Sequence, residues 1–142
     1  MSDAYTAPLD ASTQGLIGLT DSMPAAFDPA RMRGERLAKV RAMLRDRDLA
    51  AVVLFDPYNQ RYATGSRNMF GYFLRNSTRY IYVPVEGPVI LFEYPGSAHV
   101  STWLDTIDDA RTSKVVWSAV NGRDLDVARP FAEEIASLVR EA

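Results

Sequence analysis

The chain has 142 residues, which suits one domain able to bury roughly 70% of its unfolded surface in a single core. A charged fraction of 24%, a hydrophobic fraction of 47% and a net charge of -2 describe a globular protein with no general attraction to phosphate backbones or anionic membranes, so nucleic acid and membrane surfaces drop out as expected partners. Cysteine is absent, which removes disulfides, thiolate metal sites and a cysteine nucleophile, and fits a reducing, cytoplasmic address.

Residues 1–27 lack a basic start, and Asp3, Asp10 and Asp21 interrupt their apolar content, so no secretory signal is expected. No run in the chain approaches the roughly 20 apolar residues of a membrane span. The segment is rich in Ala, Ser, Thr, Gly and Pro. It reads as an arm, disordered or laid over another surface, with the folded domain starting near Phe27 and occupying residues 28–142.

Asp28 before Pro29 predicts a helix start, because the carboxylate caps open N–H groups and proline suits the first helical position. The helix is expected to run to about Asp48. Leu37, Val40 and Leu44 recur at three- and four-residue spacing beside Met43, while Arg33, Arg36, Arg41, Arg45 and Arg47 stay wet. Ala51 to Phe55 is apolar at every position, which predicts a central strand covered on both faces. Asp56-Pro57 then opens a short helical turn that stops at Gly65. Arg79 to Val83 and Val89 to Phe92 are β-rich runs around the turn residues Pro84-Val85-Glu86-Gly87-Pro88, and predict an antiparallel hairpin. A helix is expected within Gly96 to Asp109, around Val100, Trp103, Leu104 and Ile107. A short strand at Val115-Val116-Trp117 and a turn at Asn121-Gly122 follow. The last segment places Val127, Phe131, Ile135, Leu138 and Val139 on one helical face, with Pro130 tolerated only in the first turn.

This order predicts an α/β domain, a mixed β-sheet of about four to six strands with helices on both faces. Leu37, Val40, Leu44, Val52, Val53, Leu54, Ile81, Val83, Ile90, Phe92 and Phe131 are the expected core. A dinucleotide-binding fold is disfavoured, since no Gly-x-Gly-x-x-Gly follows the first strand.

Residues able to carry chemistry are few. The single imidazole, His99, has no ligand motif around it and reads as a structural or surface histidine. Gly-x-Ser-x-Gly is absent, so a serine triad has no local support. Strand-borne acids can hold magnesium for phosphoryl transfer, with Asp56 and Glu93 as the pair to consider. Asp56 before Pro57, however, is a helix cap by its spacing, and Asp105, Asp108 and Asp109 read as a solvated face. The loop from Ser66 to Arg79 mixes Arg67, Arg75 and Arg79 with Phe70, Tyr72 and Phe73, a composition suited to gripping an anion or partner. The same aromatics suit the core of an additional strand. Both readings stand on the residues alone.

The segment Ala-Ala-Val-Val-Leu-Phe-Asp-Pro over residues 50–57, followed by Asn59-Gln60-Arg61-Tyr62-Ala63-Thr64-Gly65, resembles the amino-terminal domain of the creatinase and Xaa-Pro peptidase (prolidase) family. The resemblance extends over roughly residues 31 to 142 and implies a fold with a ribonuclease H-like motif. That family includes Xaa-Pro dipeptidases and aminopeptidases, creatinase, and a dimethylsulfoniopropionate lyase with a run similar to Tyr62-Ala63-Thr64-Gly65-Ser66-Arg67-Asn68-Met69. The resemblance implies that the chain is a noncatalytic domain fragment, and that the parent enzyme carries a carboxy-terminal pita-bread catalytic domain holding a divalent metal pair (Mn, Co, Zn or Fe). It also implies a homodimer in which the Ser66 to Arg79 loop borders the partner's active site. Phe73 and Arg75 are then the substrate- or partner-facing pair, with Arg67 and Asn68 as further candidates. The rival expectations are a freestanding α/β binding module and a magnesium-dependent nuclease.

Overall fold

The computed structural model describes residues 28–67, 78–114 and 124–141. Helix α1 spans Pro29–Asp46, and the Asp28 carboxylate accepts from the Arg31 N–H at 3.0 Å as its cap. Asp48 takes a left-handed φ of 54° in the turn that reverses the chain into β1, Ala51–Leu54. Helix α2, Pro57–Thr64, follows at once; β2, Tyr80–Pro84, and β3, Ile90–Glu93, form the expected hairpin. β4 is Asp109–Thr112, and α3 is Asp124–Glu141.

The sheet order is β1-β2-β3-β4, with β1 and β3 antiparallel to β2 and β4 parallel to β3. Side chains alternate between faces, so the sheet is buried twice over. On one face Ile81, Val83, Val89 and Leu91 pack with Val40 of α1 and Ala63 of α2. On the other, Tyr80, Tyr82, Ile90 and Phe92 pack with Leu138, Phe131 and Ile135 of α3. Helices therefore lie on both faces of a four-stranded mixed sheet. Of the expected core, Val40, Leu44, Ile81, Val83, Ile90 and Phe92 are buried, while Leu37, Val52, Val53, Leu54 and Phe131 are partly buried against these clusters. Tyr80, Tyr82, Val89, Leu91 and Leu104 complete the interior.

Three expectations are corrected. β1 is an edge strand among the described residues, not a central one. The helix expected within Gly96 to Asp109 is a 3-10 turn, Ala98–Val100, followed by turns and then β4. β4 reads Asp-Ala-Arg-Thr, without the apolar alternation that marks a strand; it is held because Leu91 and Ala110, and Phe92 and Arg111, pair beside β3 and the Asp108 carboxylate accepts from the Val89 N–H at 2.7 Å. Finally, α3 begins at Asp124, so Pro130 sits in its second turn, where proline withholds one donor from the helical ladder. The strand expected at Val115 to Trp117, the Asn121-Gly122 turn, the 1–27 arm and loop residues 68–77 lie outside the described residues.

Candidate functional site

One margin of the sheet gathers the end of β1, the start of β2 and the ends of β3 and β4. The Asp56-Pro57 pair turns the chain there. The Asp56 carboxylate accepts from the N–H groups of Tyr58 and Asn59, both at 3.0 Å, which starts α2 directly over the margin. Gly65 ends it with φ 79°, its N–H donating to the Arg61 carbonyl at 2.8 Å. A β-carbon at Gly65 would stand 2.4 Å from Cδ of Arg33, so this position excludes a side chain on two grounds.

Extending the Tyr80–Phe92 register by one residue puts Arg79 opposite Glu93. Their side chains meet at 2.7 Å, Nε to Oε2, with only 6% and 1% of their surfaces exposed. Arg79 also donates to Gln60 Oε1, to Ser66 Oγ and, at 3.4 Å, to Ser101 Oγ. Gln60, buried on α2, shares its amide N–H groups among the carbonyls of Leu54, Phe55 and Arg79 at 3.0, 2.9 and 3.1 Å. Thr64 donates to the Gln60 carbonyl at 2.9 Å, and Thr106 donates to the Thr64 carbonyl at 2.5 Å. The charge of Arg79 is thus neutralised and its donors are occupied, which is the condition under which a buried guanidinium is tolerated.

This network ties together α2, both ends of the 66–79 loop, β3 and the connection after it. It corrects the sequence reading of that loop: of its three arginines, Arg79 is a buried tie and not a surface cation. Arg67 is exposed, and Asn68, Phe73 and Arg75 lie outside the described residues. Asp56 and Glu93 do not form a magnesium pair, since the first caps α2 and the second is held by Arg79 and the Tyr94 N–H at 2.9 Å. His99 is exposed, with Nδ1 3.1 Å from the Gly96 carbonyl oxygen. Among the described residues no group of three or more His, Asp or Glu side chains is placed to hold a metal, so these residues do not fit the metal pair that the resemblance implies for the parent enzyme. No helix among them is long and apolar enough to cross a membrane.

On the opposite face, Tyr80 stacks on Phe92 at 4.5 Å and meets Phe131 edge-on at 5.2 Å. Burial pushes its hydroxyl up to about 12, with the nearby Glu134 charge acting the same way and a hydrogen bond from the Lys114 N–H opposing both. A second surface feature lies beside β1. There an apolar groove of about 510 Å³ runs between α1 and α2, lined by Val40, Met43, Leu44, Val52, Leu54 and Tyr62, with Arg47 the one charged residue among the described lining.

A helix, an edge strand running into an Asp-Pro-capped helix, a hairpin and a returning parallel strand define an amino-terminal domain of the creatinase type. The family described as Creatinase/Prolidase N-terminal domain matches residues 36–140, and the chain belongs to it. The chain is similar to the dimethylsulfoniopropionate lyase DddP of Roseovarius nubinhibens, 32% identical over 115 residues that cover 80% of this chain and 26% of that protein. It is also similar to the dimethylsulfoniopropionate lyase DddP of Roseobacter denitrificans, 30% identical over 115 residues with the same coverage. The chain spans about a quarter of the length of these curated relatives.

The buried Arg79–Glu93 network is a structural feature that the sequence reading missed. Its signal was present: once the hairpin turn is placed, the two residues fall opposite each other just outside the apolar runs.

Proposed function

We propose that the chain is the noncatalytic amino-terminal domain of a metal-dependent enzyme of the creatinase family, acting through dimerisation and through the rim of its partner's active site. Catalysis belongs to a carboxy-terminal pita-bread domain with a divalent metal pair of Mn, Co, Zn or Fe, and the setting is cytoplasmic. Dimethylsulfoniopropionate is the first substrate to test, because both similar proteins are named as lyases of it, ahead of proline dipeptides and creatine.

The observation that carries this reading is the locking of both loop ends. Ser66 and Arg79 are buried and bonded to each other, to α2 and to Ser101, so the loop between them is carried on a rigid base. Phe73 and Arg75 sit in that loop, and Arg67 and Asn68 at its entry.

The test is Arg75→Ala in the full-length enzyme. A charge-assisted contact to a substrate or partner contributes roughly 1.5 to 3 kcal/mol, whereas an exposed arginine contributes little to folding. The expected result is a loss of about 10- to 100-fold in kcat/KM at an unchanged melting temperature. A variant that loses stability and keeps its catalytic efficiency would make Arg75 structural and overturn the rim assignment. Light scattering on the full-length enzyme tests the dimer separately.

A further inference from the structure

At the end of the sheet away from Arg79 and Glu93, the hairpin turn and the last turns of α3 border a cavity of about 270 Å³. Pro84, Pro88, Ile90 and Leu138 give it apolar walls, and Glu86 and Glu141 are its charged residues. No lysine or arginine stands among the described lining.

Tyr82, the remaining polar wall, is the anomaly. Only 2% exposed, it lies on the same face of the sheet as Ile90 and Leu138, and its buried hydroxyl has no hydrogen-bond partner among the described residues. Buried hydroxyls are normally bonded, because an orphan forfeits the bond that water gave it. The Glu141 charge reaches this group: burial first, and Glu141 second, push the phenol above its ordinary range, so it keeps its proton at neutral pH. Glu141 Oε1 accepts from Ser137 at 2.9 Å, and no cation among the described residues pairs with that carboxylate. Two arginines reach the turn from α1, on the other face of the sheet. Arg45 stands 3.9 Å from Glu86, and Arg41 donates to the Gly87 carbonyl at 2.5 Å; neither lines the cavity.

We propose that this cavity binds a primary alkylammonium group, which donates to the Tyr82 oxygen and the Glu141 carboxylate while its methylene chain lies against the proline, isoleucine and leucine walls. An anion would face two carboxylates, and a purely apolar guest would leave the phenol unpartnered. A guanidinium is the poorer cation. Its planar fork wants both oxygens of one carboxylate, and Ser137 already holds one of those of Glu141, whereas the rotatable donors of an ammonium suit one carboxylate oxygen and one phenol. The volume falls just below the roughly 300 to 1,000 Å³ of most small-molecule sites, which limits the guest to a short chain. The cavity lies apart from the 66–79 loop, so it stands independently of the rim reading.

The probe is n-butylammonium chloride, titrated into the 142-residue chain at physiological salt and followed by amide NMR. Saturable shifts should centre on Tyr82, Ile90, Leu138 and Glu141. 1-Butanol, of equal length but without the charge, should bind at least about tenfold more weakly, because charge-assisted hydrogen bonds exceed neutral ones by about that factor. Tyr82→Phe removes an unpartnered hydroxyl and keeps the ring, so it should fold at least as well as wild type while losing about fivefold or more in affinity. Glu141→Gln should lose about tenfold, and Glu35→Gln, on α1, should bind as wild type does. Nα-acetyl-lysine methylamide separates two sources of the same chemistry. Affinity equal to butylammonium would assign the site to a lysine side chain of a polypeptide, and weaker binding to a free amine; both support the proposal. Equal affinity for 1-butanol, no saturable shift, or affinity unchanged in both Tyr82→Phe and Glu141→Gln would overturn it.

Discussion

Glu93→Gln is the sharpest probe of the margin that anchors the loop. The substitution keeps the shape of the side chain but removes the charge that faces Arg79 at 2.7 Å in a site with only 6% and 1% exposure. Removing one partner of a buried pair costs about 3 to 5 kcal/mol, because the other charge stays dry and uncompensated. With an unfolding entropy of about 2.1 cal/mol/K per residue over 142 residues, that cost lowers the melting temperature by about 10 to 17 °C. Arg79→Met should cost a similar amount, since the Glu93 carboxylate loses its buried counter-charge and Gln60 Oε1 loses its donor. The double variant Arg79→Met with Glu93→Gln removes both charges and takes the Arg79 donors from Gln60, Ser66 and Ser101, about 1 to 3 kcal/mol. It should therefore be more stable than either single variant. Urea unfolding followed by circular dichroism on the three variants closes the cycle. If the two single costs add to the double within about 0.5 kcal/mol, the pair is uncoupled and the network is not what holds the margin.

Gly65→Ala should cost about 1 to 3 kcal/mol, from the left-handed φ of 79° and from the 2.4 Å approach to Arg33 Cδ; a melting temperature equal to wild type would contradict both. Asp56→Ala removes the acceptor for two N–H groups at the start of α2 and should cost about 0.5 to 2 kcal/mol, with a larger effect on exchange of the Tyr58 and Asn59 amides than on β3. Tyr80 supplies an alkaline signature. Its folded value of about 12 exceeds the ordinary 10, so the protein binds that proton more tightly when folded; the associated stability is complete below pH 10 and is lost as pH rises toward 12. The loss amounts to about 2 to 3 kcal/mol, and Tyr80→Phe should flatten the decline of the unfolding midpoint over that window. The same decline in both proteins would place the titration elsewhere.

What was legible in the sequence is what depends on local chemistry. Asp28-Pro29 and Asp56-Pro57 announce helix starts because an acceptor and a missing N–H act within one turn, and Gly65 announces a stop because only glycine takes that φ without strain. The hairpin was legible because its turn residues separate two β-rich runs. β4 was not, because Asp109 to Thr112 offers no apolar alternation, and its strand state comes from pairing with β3 at a distance. Trp103 and Leu104 suggested a helix by spacing, yet Pro95 and a left-handed Gly96 direct the chain into turns; Trp103 ends exposed and Leu104 buried. Among the site residues, Arg79 looked like a loop cation because composition cannot distinguish an arginine at a loop tip from one at a strand mouth.

The misplacement of β1 follows from a similar blindness, and it separates two kinds of burial. An unbroken apolar run reports that both faces of a strand are covered, and both are: Val52 and Leu54 pack with α1 and α2, while Ala51 and Val53 pack with the α3 side. It says nothing of the strand's edges, which are made of backbone N–H and C=O groups that every sequence supplies alike. The devices that mark an edge are charges, prolines and bulges, and the apolar run of Ala51 to Phe55, from which a central strand is expected, carries none of them. Among the described residues β1 is nonetheless an edge strand, paired only with β2, beside the apolar groove between α1 and α2.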